Sequence, residues 1–388
     1  MTRHSIPRAG GLAAVAATAL LAGCSYLPSM PNFGSWFGAD KPKSPPLEVI
    51  TKPIAGRQVW SARVDSVQFP LVVAVNGTVF TAAGSDGTVV AIQAETGAEI
   101  WRANVGAKLS AGVGSDGRHA AVVTRDNELV VLDNGKVVWR KPIGARVSTP
   151  PLVAGERVFV VGVDRAVQAF DAQDGRKLWT LQRPGDPLAL AQAGVLQAFK
   201  DTLIVGQGPR MAGLDPLKGT VRWEVVIGSP RGGNEVERLA DLVGPAPRVG
   251  DVICARSFQA AVGCVNAERG TLVWTKAVGG TDGVAADEQF VFAADASDRL
   301  SAWKTPSGEV AWTSDKLLYR SLSAPLTVGK TVVFGDAQGT VHWLARDTGE
   351  TQLRLPTDGS AVAAPPVVIG TTMLVVTRNG GLFAFRPQ

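Results

Sequence analysis

Between residues 72 and 104 the chain reads VVAVNGTVFTAAGSDGTVVAIQAETGAEIWRAN, short runs of Val, Ile, Thr and Phe broken by Asn-Gly, Asp-Gly and Thr-Gly. β-Branched runs bounded by such pairs predict strands joined by hairpin turns. The expected strands run from Leu71 to Val75, Thr78 to Ala82 and Thr88 to Gln93, with a fourth carrying Trp101. The stretch VVFGDAQGTVHWLARDTGETQL at 332–353 repeats the plan. Gly-x-x-x-Trp closes each unit at Trp60, Trp101, Trp139, Trp179, Trp223, Trp274 and Trp312, and GETQL puts Leu353 at the eighth mark. Four strands every ~40 residues make one propeller blade. The fold expected is therefore all-β, an eight-bladed β-propeller of four-stranded antiparallel blades. A large flat Trp on the last strand suits the wedge between neighbouring blades. The chain ends on GLFAFRPQ, a third strand with no fourth, so the segment around Trp60 is expected to join the last blade and close the ring.

Two connections break the period, and both flank the fourth unit. TLQRPGDPLALAQAG follows Trp179 at 180–194, and GSPRGGNEVERLADL occupies 228–242 after Trp223. In the second, Asn234 is placed to cap, with Glu237 reaching back to free N–H groups, which predicts a helix of about two turns from Glu235 to Leu242. Leu239 and Leu242 would share one face, with Glu237, Arg238 and Asp241 open to solvent. Binding tends to reside on long loops carried by a rigid scaffold. Emerging from adjacent blades on the same face, the two are expected to form one patch of apolar and charged groups. The bland alternative is an insertion that merely caps the surface of the ring.

At the N-terminus, Arg3 and Arg8 precede an apolar run from Ala9 to Ala22 that ends in Leu21-Ala22-Gly23-Cys24. This predicts a secretory signal over residues 1–23, shorter than the ~20 apolar residues of a membrane-spanning helix. Cys24 after Leu-Ala-Gly resembles the bacterial lipoprotein box, which implies lipid on Cys24. Ser25 in place of Asp then implies the outer membrane. Repeated Pro without periodicity predicts an extended tether, so that 24–55 comprises the Cys24 whose lipidation the resemblance implies and this tether, leaving 56–388 for the propeller.

The net charge of +5 and pI near 9.2 are spread without a Lys/Arg cluster, so no nucleic-acid partner is expected. His4, His119 and His342 share no spacing with Cys or carboxylates that would hold a metal, and no nucleophile motif appears. VGQGPRMAG at 205–213 lacks the spacing and following helix of a phosphate loop, and turn geometry accounts for the Asp-Gly pairs. No catalytic residue and no cofactor are expected. Cys254 and Cys264 lie on the two strands of one hairpin. An odd loop brings them opposite for a disulfide in an oxidising compartment. The alternative is a free thiol at Cys264, in the small-residue slot that Ala91, Ala169 and Ala302 fill elsewhere.

The Gly-x-x-x-Trp blade end resembles the docking repeat of the quinoprotein dehydrogenases, also eight-bladed, which makes a quinone-dependent enzyme the main rival reading. Those enzymes are longer and carry an adjacent Cys pair and an acidic calcium site, and no two Cys are adjacent here. A polysaccharide-binding propeller would line one face with aromatics, whereas these Trp sit at packing positions. Lipobox, Pro-rich tether, eight marked blades and two long loops together resemble the BamB family, lipoprotein subunits of the β-barrel assembly (BAM) complex of the bacterial outer membrane. The resemblance spans essentially the whole mature chain and is sharpest at PLALAQ (187–192) and NEVERLADL (234–242). It implies a non-enzymatic scaffold on the periplasmic side of the outer membrane, anchored through Cys24. Its partners would be the periplasmic domains of BamA and nascent β-barrel proteins. In the family the first loop carries Leu-x-Leu-Arg; Leu188 and Leu190 match, and Ala191 stands at the Arg position. The second reads Glu-x-x-Arg-Leu-x-Asp-x-Asp; Glu235, Arg238, Leu239 and Asp241 match, and Val243 replaces the last Asp. Two polar contacts of the family pattern are therefore missing.

Overall fold

The computed structural model describes residues 42–183, 188–229 and 232–387. Eight antiparallel sheets follow one another along the chain: blade one 74–104, two 109–142, three 152–181, four 196–226, five 242–276, six 285–314, seven 326–356, and eight 367–387 completed by 56–63. Ring closure is as expected, with Gly56–Arg63 antiparallel to Gly381–Pro387. The first strand of blade one starts at Ala74 instead of Leu71. Val72 exchanges its backbone hydrogen bonds with Gly112 and Val113 of blade two, so it is not free to pair within its own blade.

The repeat motif explains the junctions. Each Trp ring faces the Gly of the next repeat: a Cβ at Gly97 would come 2.7 Å from Trp60, and Gly135 meets Trp101, Gly175 Trp139, Gly219 Trp179, Gly270 Trp223, Gly308 Trp274 and Gly349 Trp312. These seven glycines also have positive φ, so turn geometry and close approach both demand a residue without a side chain. Indole N–H groups donate across the junction, from Trp60 to Ala94 O (2.9 Å), Trp139 to Ala172 O (2.8 Å) and Trp274 to Thr305 O (2.7 Å). The two ends of Gly-x-x-x-Trp are thus complementary, but to the neighbouring copy.

At the eighth junction Leu353 packs on Gly56. The lost volume reappears on the adjacent strand. Ala91, Ala169 and Ala302 stand opposite Trp101, Trp179 and Trp312, whereas Trp343 stands opposite Leu353. Trp343 is buried and meets Phe385 edge-on at 5.7 Å. Large and small have exchanged strands. In blade five a three-residue turn between Ser257 and Ala261 sets Cys254 opposite Cys264, and a disulfide joins them.

Residues 44–54, within the stretch expected as tether, lie along blade seven. Arg320 Nη2 donates to Pro45 O (2.7 Å), Arg354 Nη1 to Glu48 O (2.6 Å) and Ile54 N to Gln352 O (3.1 Å). Cys24 and the signal segment lie outside the described residues.

Candidate functional site

Both long connections reach the same place. Leu188 lies against Gly233–Arg238 in a shallow open groove. Its side chain is 38% exposed, and Val236 across the groove is 67% exposed. Glu235 and Arg238 are exposed, while Leu190 and Leu239 are partly covered.

The predicted helix is absent. Asn234 does cap, its Oδ1 accepting from Glu237 N at 2.9 Å, and Glu237 Oε2 reaches back to Gly233 N at 2.7 Å. A single turn over 235–238 follows, and the chain then becomes extended. Leu242 and Val243 are buried and pair with Ser257 and Arg256 in blade five, and Leu242 N donates to Gly208 O at 2.9 Å. Burying two apolar side chains and satisfying their backbone outweighs the weak tendency of an eight-residue segment to stay helical. Leu242 therefore does not share a face with Leu239.

A second correction concerns Asp241. Its carboxylate is only 17% exposed. Oδ2 accepts from Leu190 N at 3.0 Å, and Oδ1 lies 3.4 Å from Arg165 Nη2. Arg165 Nη2 also donates to Leu188 O at 3.3 Å. Around this bracket, Ser148 Oγ donates to Leu190 O (3.3 Å), Thr149 Oγ1 accepts from Gly194 N (3.0 Å), and Gly244 N donates to Ala193 O (2.9 Å). The start of the first loop is held separately. Arg183 pairs with Glu224 and donates to Gln207 Oε1 at 3.1 Å, and Glu224 also pairs with Arg210 at 2.6 Å. Burial opposes the charge on Glu224, yet the two guanidiniums hold its carboxyl below the ordinary carboxylate value.

Sequence reading missed Arg165, although a signal exists. In seven blades the turn between the second and third strands closes with the same backbone bond, donated by Gly87, Asn127, Arg165, Ala260, Asp298, Gly339 and Gly380. All of these except Ala260 have positive φ, and among the six that do only Arg165 lies outside the Gly, Asn and Asp that accept this conformation readily.

The patch adjoins the mouth of the central channel, a cavity of about 580 Å³ that Gln192 and Val243 line on the patch side and Asp282, Asp295 and Asp298 line on the other. Behind that rim the buried Arg256 donates to Val278 O (3.1 Å), Asp282 O (2.6 Å) and Ala294 O (2.7 Å), and burial pushes its guanidinium down to about 10. Among the described residues no three His, Cys, Asp or Glu side chains are grouped to hold a metal ion.

A family model described as "Outer membrane protein assembly factor BamB" matches residues 49–109 and 85–314. Proteins of that name are similar along the chain. The one from Burkholderia pseudomallei is 37% identical, covering 88% of this chain and 91% of its own. The one from Bordetella pertussis is 35% identical over the full length of both. The crystal structure of BamB from Moraxella catarrhalis superposes with a TM-score of 0.77 at 24% identity, covering 86% of this chain and all of that one. Quinohemoprotein alcohol dehydrogenase from Comamonas testosteroni shares the fold alone, with a TM-score of 0.65 at 15% identity over 85% of this chain and 76% of that one.

Proposed function

The chain belongs to the BamB family of outer membrane protein assembly factors, and from that premise we propose that it is a non-enzymatic scaffold of the BAM complex. The two-loop patch binds the periplasmic domains of BamA, with Leu188, Leu190 and Leu239 as the apolar centre and Glu235 and Arg238 at the rim. Lipid on Cys24 anchors the protein at the periplasmic face of the outer membrane. Nascent β-barrel proteins meet it at the outer strands of blades two and five, where Val137, Val138, Leu272 and Val273 are exposed, an edge suited to strand addition.

One observation carries the assignment to BamA. The two longest connections between blades converge, leaving Leu188 and Val236 uncovered side by side in a groove with a charged rim, the anatomy of an anchor-and-rim interface. A photo-crosslinker at position 236 is expected to capture BamA in membranes. The same group at position 310, which is 54% exposed on blade six, is expected not to. Equal capture from both positions, or from neither, contradicts the assignment.

A further inference from the structure

The bracket beneath the patch joins one short piece of backbone at both ends. Arg165 takes the carbonyl of Leu188, Asp241 takes the amide of Leu190, and the two charged groups face each other at 3.4 Å. Fixing those two peptide groups fixes the direction in which both Leu side chains leave the loop. Asp241 belongs to the second connection and Arg165 to blade three, so the same contacts set the spacing between the loops. Neither side chain is presented to solvent, at 16% and 17% exposure. Arg165 is itself held: Gln207 Nε2 donates to its carbonyl at 3.3 Å, and Gly208 leaves the space its guanidinium fills. A left-handed backbone is unfavourable for a residue such as Arg, whose Cβ crowds the following carbonyl. That cost is borne at the one equivalent turn whose side chain reaches both loops.

We infer that Arg165 and Asp241 form an internal latch, positioning residues that hold the two loops in their binding arrangement without touching the partner. The inference rests on the patch being the BamA-binding surface, and it moves Asp241 from the contact set to the support beneath it.

The test uses the full mature protein carrying Arg165→Ala, Asp241→Ala or both, with Arg165→Lys as a milder variant should Arg165→Ala fold poorly. Two quantities are measured: hydrogen exchange of the Leu190 amide in the free protein, and binding to the purified periplasmic domains of BamA. Losing one charge-assisted bond is expected to speed Leu190 exchange about tenfold and weaken binding about tenfold. The double variant should bind no worse than the weaker single variant, because both residues act through one device. If Asp241→Ala weakens binding while Leu190 exchange stays at the wild-type rate, or if the two losses multiply, Asp241 is a direct contact and the latch is overturned. If exchange accelerates in every variant and binding is untouched, the latch stands as a structural element and the patch assignment fails instead.

Discussion

The blade junctions and the patch beside blade four are built on opposite plans. Around the ring the same wedge recurs, a Trp against the next repeat's positive-φ Gly, and seven copies share the task. Beneath the patch the two loops are joined through a single ion pair, Arg165 with Asp241, helped by Ser148, Thr149 and a handful of backbone bonds. Redundant apolar packing makes a frame that tolerates local variation, as the exchange of Trp343 and Leu353 shows. Singular polar contacts make a site whose geometry one substitution can release without disturbing the frame. Stability and recognition should therefore separate under mutation.

The largest effects belong to the frame. Trp139→Ala, at a junction where the ring is buried and hydrogen-bonded, is expected to lower unfolding free energy by about 3–5 kcal/mol, measured by chemical denaturation. Arg256→Met strips three part-buried carbonyls of the guanidinium that binds them and should cost about 2–4 kcal/mol in the same assay. The eighth junction sharpens the point. Leu353→Trp alone overpacks against Trp343 and should cost about 1–3 kcal/mol. Combined with Trp343→Ala it rebuilds the arrangement of the other blades and should recover most of that loss. If the double variant is merely the sum of two losses, the exchanged pair is not a compensation.

Smaller effects belong to the loops. Leu188→Ala should leave stability within about 0.5 kcal/mol of wild type while weakening partner binding. The Glu224 bracket adds a pH signature. Its carboxyl is held below the ordinary 4.5 in the folded protein, so the unfolded chain takes up the proton first as pH falls. The contribution is complete above pH ~4.5 and is lost as pH drops through the lower folded value. Wild type and Glu224→Gln should differ most near neutrality and converge in acid, by up to ~1 kcal/mol for a pair this close to the surface. A gap that widens toward acid reverses the sign and contradicts the bracket.

How much of this could be read from residues alone follows the same division. The blade count and the closure were legible because Gly and Trp recur in phase, and phase survives without knowing which copy contacts which. The helix over 235–242 was over-read: Asn234 and Glu237 cap as their spacing suggests, but the burial of Leu242 depends on Ser257 and Gly208, which local pattern does not reveal. The inward turn of Asp241 was hidden for the same reason, its partners lying in other blades at Arg165 and Leu190. Residues 44–54 read as a tether because Pro-rich segments lack period, yet carbonyls at Pro45 and Glu48 are taken by Arg320 and Arg354 from the far end of the chain. Arg165 left a trace, a long side chain at a turn position that, wherever else its φ is positive, is given to Gly, Asn or Asp.

The most direct test titrates the periplasmic domains of BamA into wild-type protein and into Leu188→Ala combined with Arg238→Ala, with the unfolding midpoint of each measured alongside. The account predicts an unchanged midpoint and an affinity reduced by about tenfold or more, the loss expected when an exposed apolar anchor and a rim charge go together. Undiminished affinity in a fully folded double variant would contradict it.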